Sequence, residues 1–190
     1  GREISETMKN TFGISAKLGG ISAAVALISG TIFGVIAALY RNRWPDRLII
    51  FLTTFFVSVP SFVLATMLLL IFCLKLGWFP VFRAGDPSYV LPVLSLSMYP
   101  AAYITRLTKS SMLDVLGEDY IRTARAKGVS SKSVLYKHAL RNAILPVITY
   151  LGPMLAYTLT GSMVVETVFS IGGMGREFVQ GILNRDYSMI

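Results

Sequence analysis

Residues 18–40 read "LGGISAAVALISGTIFGVIAALY", a long apolar run that contains no charged side chain. An α-helix rises about 1.5 Å per residue, so about 20 apolar residues cross the roughly 30 Å hydrocarbon core of a membrane. Small residues recur along the run and would let a second helix backbone approach closely in lipid. The run therefore predicts a transmembrane helix that packs inside a bundle.

The composition of the whole chain agrees with a membrane protein. Of the 190 residues, 54% are hydrophobic and 15% are charged, whereas soluble domains carry about 25% charged residues. The single cysteine, Cys73, lies in an apolar stretch. It excludes a disulfide within this chain and a cysteine-based metal cluster, and we interpret it as a small hydrophobic residue.

Three further stretches have the length of membrane spans: 48–74, 89–105 and 143–169. Each contains residues that interrupt helices, and we expect a kink at Pro60 in the first of them. Broken helices are tolerated at membrane depth where protein or a watery cavity covers the freed backbone groups. These interruptions indicate either a transport pathway or simple packing kinks. The other interrupting residues are Pro92, Pro100, Pro146, Gly152, Pro153 and Gly161.

The charge of the connecting segments predicts which side of the membrane each one faces. Segments 41–47 and 106–142 carry more Lys and Arg than Asp and Glu, whereas basic and acidic residues are equal in number in 77–88 and in 170–190. Because positive segments stay in the cytoplasm, the first two are predicted to be cytoplasmic and the last two external. The net charge of +8 is thus largely a signal of topology, which argues against a nucleic-acid partner.

Segment 106–142 is longer than a connection between two neighbouring spans requires, and it is predicted to form two short helices. In the first, Ile121, Ala124 and Gly128 share one side, while Arg122 and Arg125 lie on another. A helix that lies on a membrane surface would carry bulky apolar anchors opposite its basic residues. The small Ala and Gly side instead favours close docking of another protein.

Gly128 separates the two predicted helices of this segment. A glycine can adopt the left-handed conformation that turns the chain. Ser130 or Ser131 can cap the helix that follows. The second helix then leads into the span that begins near Pro146.

These residues carry a resemblance to a known family. The stretches "DYIRTARAKG" (119–128) and "HALRNAILPVIT" (138–149) closely resemble the EAA loop of bacterial ABC-importer permeases, in the form found in the dipeptide/oligopeptide permease family. The stretch "VETVFSIGGMGREFVQGILNRDYSMI" (165–190) resembles the same family. Arg122, Thr123 and Ala124 stand where the general loop has Glu-Ala-Ala, as is usual in the peptide branch. Gly172 stands where the family usually has Pro.

The resemblance implies an all-α integral membrane protein, a polytopic helix bundle like the permeases of type I ABC importers. The family has six spans per subunit, so residues 1–190 would form one permease domain truncated at both ends, with four spans. Segment 106–142 would be its cytoplasmic coupling segment. The protein would lie in a bacterial or archaeal plasma membrane, and its cargo would be a dipeptide or oligopeptide or, as in some relatives, nickel or glutathione.

The resemblance also implies partners. Two ATP-binding subunits, a second permease subunit and an outer substrate-binding protein would complete the importer within the lipid membrane. The ATP-binding subunits would dock on the first cytoplasmic helix. The implied docking residues are Asp119, Tyr120, Ile121, Arg122, Ala124, Arg125 and Gly128.

The sequence offers little support for an activity of another class. It lacks the G-x-x-x-x-G-K-[ST] pattern that cradles ATP phosphates, so ATP hydrolysis is expected in separate subunits. An intramembrane serine enzyme would need a histidine near Ser162, yet the only one, His138, precedes that span. An ion-coupled carrier would want ionisable groups deep in its spans, whereas Lys17, Lys75 and Glu166 lie near span ends. No cofactor or metal site is predicted.

Four side chains are candidates for lining a transport pathway. Met98 and Tyr99 lie beside Pro100, and Thr158 and Ser162 share one i, i+4 face. These groups could accommodate the polar backbone of a peptide. The alternative is that they serve interhelical hydrogen bonding and packing.

Overall fold

The computed structural model describes residues 4–80 and 88–185, and the regular secondary structure of these ranges is helical. Three long helices, α1, α4 and α8, form the body of the fold, and shorter helices connect or flank them. The helices are α1 (Ile4–Leu39), α2 (Trp44–Ser58), α3 (Ser61–Leu68, continued by a π-helix over Leu69–Lys75), α4 (Val90–Gly117), α5 (Asp119–Ala126), α6 (Ser131–Ser133, continued by a π-helix over Val134–Leu140), α7 (Arg141–Ala143), α8 (Leu145–Val168) and α9 (Met174–Asn184).

The helices α1 and α4 pack closely through two glycines of the run 18–40. A Cβ atom on Gly30 would lie 2.8 Å from the carbonyl oxygen of Ala101, and one on Gly34 would lie 2.8 Å from that of Thr105. Real Cβ atoms do not approach other atoms so closely, so only glycine allows this separation. The prediction that residues 18–40 pack inside a bundle is therefore confirmed.

The second predicted span is broken rather than kinked. The helices α2 and α3 meet at an angle of 103°, with Val59 and Pro60 between them in extended conformations. Proline disfavours helical geometry in the residue before it, because its ring clashes with that residue's backbone. The chain therefore bends at Pro60 much more sharply than the expected kink.

The third and fourth predicted spans contain prolines without being broken. Helix α4 continues through Pro100 and ends at Gly117, so it extends well into the segment that was predicted to start at residue 106. Helix α8 has Pro146 in its first turn, where a missing N–H costs little, and it continues through Pro153. The predicted interruption of these two spans was wrong, and within the described ranges the α-helical backbone of the predicted spans is broken at Pro60 and altered in the π-helix Leu69–Lys75.

Two helices of the described ranges are by themselves long and apolar enough to cross a membrane, Thr11–Leu39 and Leu145–Val168. The bent pair of α2 and α3 adds a third if it is counted as one span. Helix α4 has the length but is more polar. The count of four spans therefore stays a prediction.

Three apolar clusters lie one after another along α1 and define the two ends of the molecule. We call them the outer, middle and cytoplasmic clusters, after the predicted topology. The outer cluster contains Leu18, Ala65, Leu91, Val93, Leu96, Val165, Phe169 and Ile171. The middle cluster contains Ala23, Ala26, Ile104, Val147 and Met154. The cytoplasmic cluster contains Ala38, Met112, Ile121, Ala124, Val134, Ala139 and Ala143.

Candidate functional site: the cytoplasmic helix α5

Helix α5 is delimited as the sequence predicts. Asp119 lies in its first turn and Arg125 in its last, which places each charge at the helix end where the helix dipole favours it. Gly128 has a φ of +77°, so the left-handed turn is confirmed. Ser130 caps the next helix, since its Oγ accepts a hydrogen bond from the backbone N–H of Ser133 at 3.4 Å.

The two sides of α5 face different surroundings. Ile121 is 0% exposed and Ala124 is 9% exposed, and both pack in the cytoplasmic cluster. Tyr120, Arg122 and Arg125 are exposed on the other side. The small side chain of Ala124 thus makes room for helices of its own chain, and the interpretation of this side as the one open to a partner needs correction. Of the predicted docking residues, the exposed ones are Asp119, Tyr120, Arg122, Arg125 and Gly128.

The cytoplasmic cluster joins α5 to the ends of the long helices. It contains Ala38 from the last turn of α1, Met112 from the end of α4 and Ala143 from just before α8. A hydrogen bond of 2.8 Å from Asn142 Nδ2 to the hydroxyl oxygen of Tyr120 ties α5 to α7 as well. Helix α5 therefore packs in the same apolar cluster as the ends of α1 and α4 and the segment that leads into α8.

A cleft of about 330 Å³ opens beside the exposed side of α5. Arg125 and Lys132 supply positive charge there, and within the described ranges no carboxylate forms an ion pair with either. Such a cleft fits an apolar side chain that is accompanied by a negative charge. Its apolar lining consists of Leu39, Leu116, Val134 and Leu135.

The positive charge of Arg122 is partly used within α5. Its Nη1 lies 3.4 Å from Oδ1 of Asp119, and both side chains are highly exposed. An exposed ion pair of this kind contributes little, about 0–1 kcal/mol. Arg122 therefore remains available to a partner.

The other basic segment, 41–47, differs from α5 because its one carboxylate, that of Asp46, is buried and hydrogen-bonded. Asp46 accepts hydrogen bonds from Lys109 Nζ and from the backbone N–H of Asn42. Burial raises the pKa of Asp46, but the hydrogen bonds from Lys109 and Asn42, together with the positive charges of Lys109 and Arg41, outweigh it and hold the pKa below its usual value of 3.8. This ion pair fixes the start of α2 against α4.

The four candidate pathway residues do not share one cavity. Met98 lines a cleft of about 260 Å³ between α1, α2 and α4, whereas the ring of Tyr99 packs 5.1 Å from that of Tyr157 on α8. Thr158 and Ser162 are buried, and their hydroxyls donate to carbonyl oxygens of their own helix. This arrangement favours the packing interpretation for Thr158 and Ser162, and a pathway role for the four stays a prediction.

Groups suited to catalysis or metal binding are not assembled in the described part of the chain. It contains no group of three or more His, Cys, Asp or Glu side chains that could hold a metal ion. Ser162 donates to the carbonyl oxygen of Leu159 at 2.7 Å, while His138 lies in the π-helix that follows α6. Most of segment 77–88, which is predicted to be external, lies outside the described residues.

The sequence interpretation missed the environment of Glu166. The sequence prediction put Glu166 near a span end, where its carboxylate could reach water. In the structure Glu166 is 0% exposed. Its oxygens accept hydrogen bonds from Ser15 Oγ and from the backbone N–H of Arg176. The available signal was an acidic residue in an apolar helix, followed at short distance by Gly173, which permits close packing around it.

Comparisons with known proteins show which proteins the chain is similar to. The family described as "Binding-protein-dependent transport system inner membrane component" matches residues 30–190. The dipeptide transport system permease protein DppB of Bacillus subtilis is 46% identical over 188 residues, which cover 98% of this chain and 61% of DppB. The oligopeptide transport system permease protein OppB of Haemophilus influenzae is 45% identical over 193 residues, which cover 100% of this chain and 63% of OppB.

Two further similarities concern cargo and fold. The glutathione transport system permease protein GsiC of Escherichia coli is 47% identical over 166 residues, which cover 87% of this chain and 54% of GsiC. The chain thus spans less than two thirds of the length of these relatives. The crystal structure of an amino acid ABC transporter with histidines has a TM-score of 0.72 and 16% identity, and the match covers 97% of this chain and 83% of that one. The two chains share a fold.

Proposed function

This chain belongs to the family of binding-protein-dependent transport system inner membrane components, and we propose that it forms part of the permease of an ATP-driven importer of dipeptides or oligopeptides. The named relatives, DppB and OppB, are permease proteins of dipeptide and oligopeptide transport systems. The proposal extends that role to this chain. The importer would also contain a second permease subunit, two ATP-binding subunits and an outer substrate-binding protein.

The observation that carries the proposal is the two-sided construction of α5. Its exposed side offers Arg122 and, at the cleft, Arg125. Its buried side holds Ile121 and Ala124 in the cytoplasmic cluster. An ATP-binding subunit that grips the exposed side can displace α5. The apolar contacts on the buried side then move the ends of α1 and α4.

Helix α4 provides a route for that movement through the molecule. It runs without a break over Val90–Gly117 and contributes Met112 to the cytoplasmic cluster and Leu96 to the outer cluster. Because a continuous helix transmits a displacement as a rigid element, closure of the ATP-binding subunits would alter both ends together. This is the physical basis that we propose for alternating access.

The proposed orientation places α5 in the cytoplasm. Segments 41–47 and 106–142 would face the cytoplasm, and segments 77–88 and 170–190 would face the outside. The excess of Lys and Arg in the first two supports this assignment. One detail of segment 106–142 differs from the prediction: residues Arg106 to Gly117 continue α4 instead of forming a loop.

Glutathione is a second candidate cargo. It is a tripeptide, so a permease for it meets the same chemistry of amide groups and terminal charges. The similarity to GsiC, which covers 87% of this chain, supports this candidate specifically. The similarities to DppB and OppB cover more of the chain at nearly equal identity, and we therefore place peptides first.

Uptake measurements test the proposal and rank the two cargoes. The full-length permease, reconstituted with its partner subunits in proteoliposomes, is expected to take up a labelled dipeptide or pentapeptide when ATP is present. Labelled glutathione is measured in parallel, and vesicles without ATP are the control. Saturable uptake of glutathione with no uptake of either peptide would make glutathione the cargo, and ATP-independent movement of all three would overturn the assignment to an importer.

A further inference from the structure

Glu166 is a fully buried carboxylate near the end of α8, and both of its oxygens accept hydrogen bonds. Oε1 accepts from Ser15 Oγ at 2.6 Å, and Oε2 accepts from the backbone N–H of Arg176 at 3.2 Å. Each oxygen of the carboxyl group is thus held by a hydrogen bond, one with a side chain of α1 and one with the backbone of α9.

The compensation for this buried charge comes from α9. Within the described ranges no Lys or Arg side chain forms an ion pair with Glu166. The carboxylate lies instead against the first turn of α9, where unpaired N–H groups and the helix dipole favour a negative charge. The guanidinium of Arg176 is directed elsewhere, because its Nη1 donates to the carbonyl oxygen of Ser170 at 2.7 Å.

Ser15 brings a third helix into the same network. Its Oγ donates to Glu166 and at the same time accepts a hydrogen bond of 2.9 Å from the backbone N–H of Met174. Ser15 lies on α1, Glu166 on α8 and Met174 at the start of α9. One hydroxyl and one carboxylate thus connect α1 to α8 and α9, whose bonded residues lie 151 and 159 positions later in the sequence.

Two glycines allow α9 to approach this closely. A Cβ atom on Gly173 would overlap the carboxyl group of Glu166, and one on Gly175 would overlap Met163 on α8. Neither glycine has a positive φ, so both positions are dictated by space and not by backbone conformation. The neighbouring Gly172 has open space around it.

We propose that Glu166 is a positioning residue that latches α9 to α1 and α8, so that α9 moves together with the outer ends of both helices. Without the carboxylate, α9 would keep its apolar contacts and the hydrogen bond from Met174 to Ser15, but it would lose its connection to α8 through Glu166 and could shift more freely. The consequence for transport rests on the proposed function, because a loose α9 would uncouple the outer face from the displacement carried by α1. The latch itself does not depend on which molecule is transported.

A spin label on α9 reports on the latch directly. The label is attached to Gln180→Cys, an exposed position, in the full-length permease complex carrying Cys73→Ser. Glu166→Gln and Ser15→Ala are each expected to raise the mobility of the label. The double variant should raise the mobility by less than the sum of the two single effects, because the hydrogen bond between Ser15 and Glu166 is lost in both single variants. Uptake should fall about tenfold, the factor expected when a hydrogen bond to a charged group is lost.

Ser162→Ala is the matched control. Ser162 lies one turn before Glu166 on α8 and is 1% exposed. Its hydroxyl donates to the carbonyl oxygen of Leu159 in its own helix, so label mobility should stay at the parental value. Glu166→Asp, which keeps the charge but shortens its reach, should give intermediate mobility and serves if Glu166→Gln does not fold. An unchanged label in folded Glu166→Gln, or additive effects in the double variant, would overturn the latch. If the variants raise the mobility of the label but the parent permease transports no peptide, the result counts against the proposed function alone.

Discussion

The two ends of the molecule use charge in opposite ways. At the cytoplasmic end, α5 is anchored by the apolar residues Ile121 and Ala124, and its arginines remain exposed. At the outer end, α9 is anchored by the buried carboxylate of Glu166. Its exposed residues include the apolar Ile182 and Leu183. Charge that is left free can bind a partner, whereas charge that is enclosed serves to hold the fold together.

This comparison separates stability from binding. Changes on the buried side of α5 should destabilise the permease, and changes on its exposed side should alter only its affinity for partners. At the outer end the charged residue itself should control the position of its helix. Each prediction below challenges one side of this contrast.

A charge placed on the buried side of α5 should have the largest effect. Ala124→Asp puts an unpaired carboxylate in the cytoplasmic cluster, which costs about 3–5 kcal/mol. We expect the apparent unfolding temperature of the purified permease to fall sharply even when no ATP-binding subunit is present. Ala126→Asp, on the exposed side of the same helix, is the matched control and should unfold like the parent. Equal behaviour of the two variants would show that the sides of α5 are not distinguished.

A methyl group beside the latch should have the next largest effect. Gly173→Ala forces a Cβ into the carboxyl group of Glu166, and such overpacking costs about 1–3 kcal/mol. Thermal unfolding of the purified permease should occur at a lower temperature. Gly172→Ala, with open space around it, should leave the unfolding temperature unchanged. If both glycines tolerate Ala, the packing of α9 on Glu166 is looser than described.

The turn after α5 should tolerate substitution poorly for a different reason. Gly128 has a φ of +77° and free space around its Cα, so Gly128→Val is opposed by backbone strain alone. We expect a cost of roughly 1–2 kcal/mol, reduced peptide uptake and normal membrane insertion. Gly117→Val, also in open space but without a positive φ, is the control. Transport at the parental rate in Gly128→Val would contradict a structural role for this turn.

The buried pair of Asp46 and Lys109 should contribute a small stability that depends on pH. Because the pKa of Asp46 is lowered in the folded protein, its carboxylate stabilises the fold above its ordinary pKa of 3.8, and that contribution is lost as the pH falls through the folded value. Unfolding temperatures measured from about pH 6 to about pH 3 should show a steeper decline for the parent than for Asp46→Asn. The exposed Asp114→Asn should retain the parental decline. A decline in Asp46→Asn as steep as in the parent would rule out this pair as its source.

Much of the fold was accessible from the sequence because it depends on local patterns. The all-α membrane architecture and the family are confirmed, since long apolar runs and the residues 119–128 report on them directly. The turn at Gly128 and the cap at Ser130 are also confirmed. Each of these features is determined by neighbours within a few positions in the chain.

The errors arose where contacts between distant residues decide the outcome. Pro100 lies within an unbroken helix, although the same residue type breaks the chain at Pro60. The side of α5 that faces inward depends on Met112 and Val134, and no periodicity in residues 119–128 could identify those partners. Ser15 and Glu166 are 151 positions apart, so their hydrogen bond could not be read from either local sequence.

The central claim is that the exposed basic side of α5 binds the ATP-binding subunits while its buried side transmits the movement. Arg125→Glu tests this claim most directly, because Arg125 is exposed at the cleft. The matched control is Arg43→Glu, since Arg43 is an exposed arginine of the other basic segment, 41–47. The measurement is the affinity of the purified permease for its ATP-binding subunits, together with the unfolding temperature of the permease alone. We predict a loss of affinity of about tenfold or more for Arg125→Glu, parental affinity for Arg43→Glu and parental unfolding temperatures for both. Equal affinities in the two variants would contradict the account.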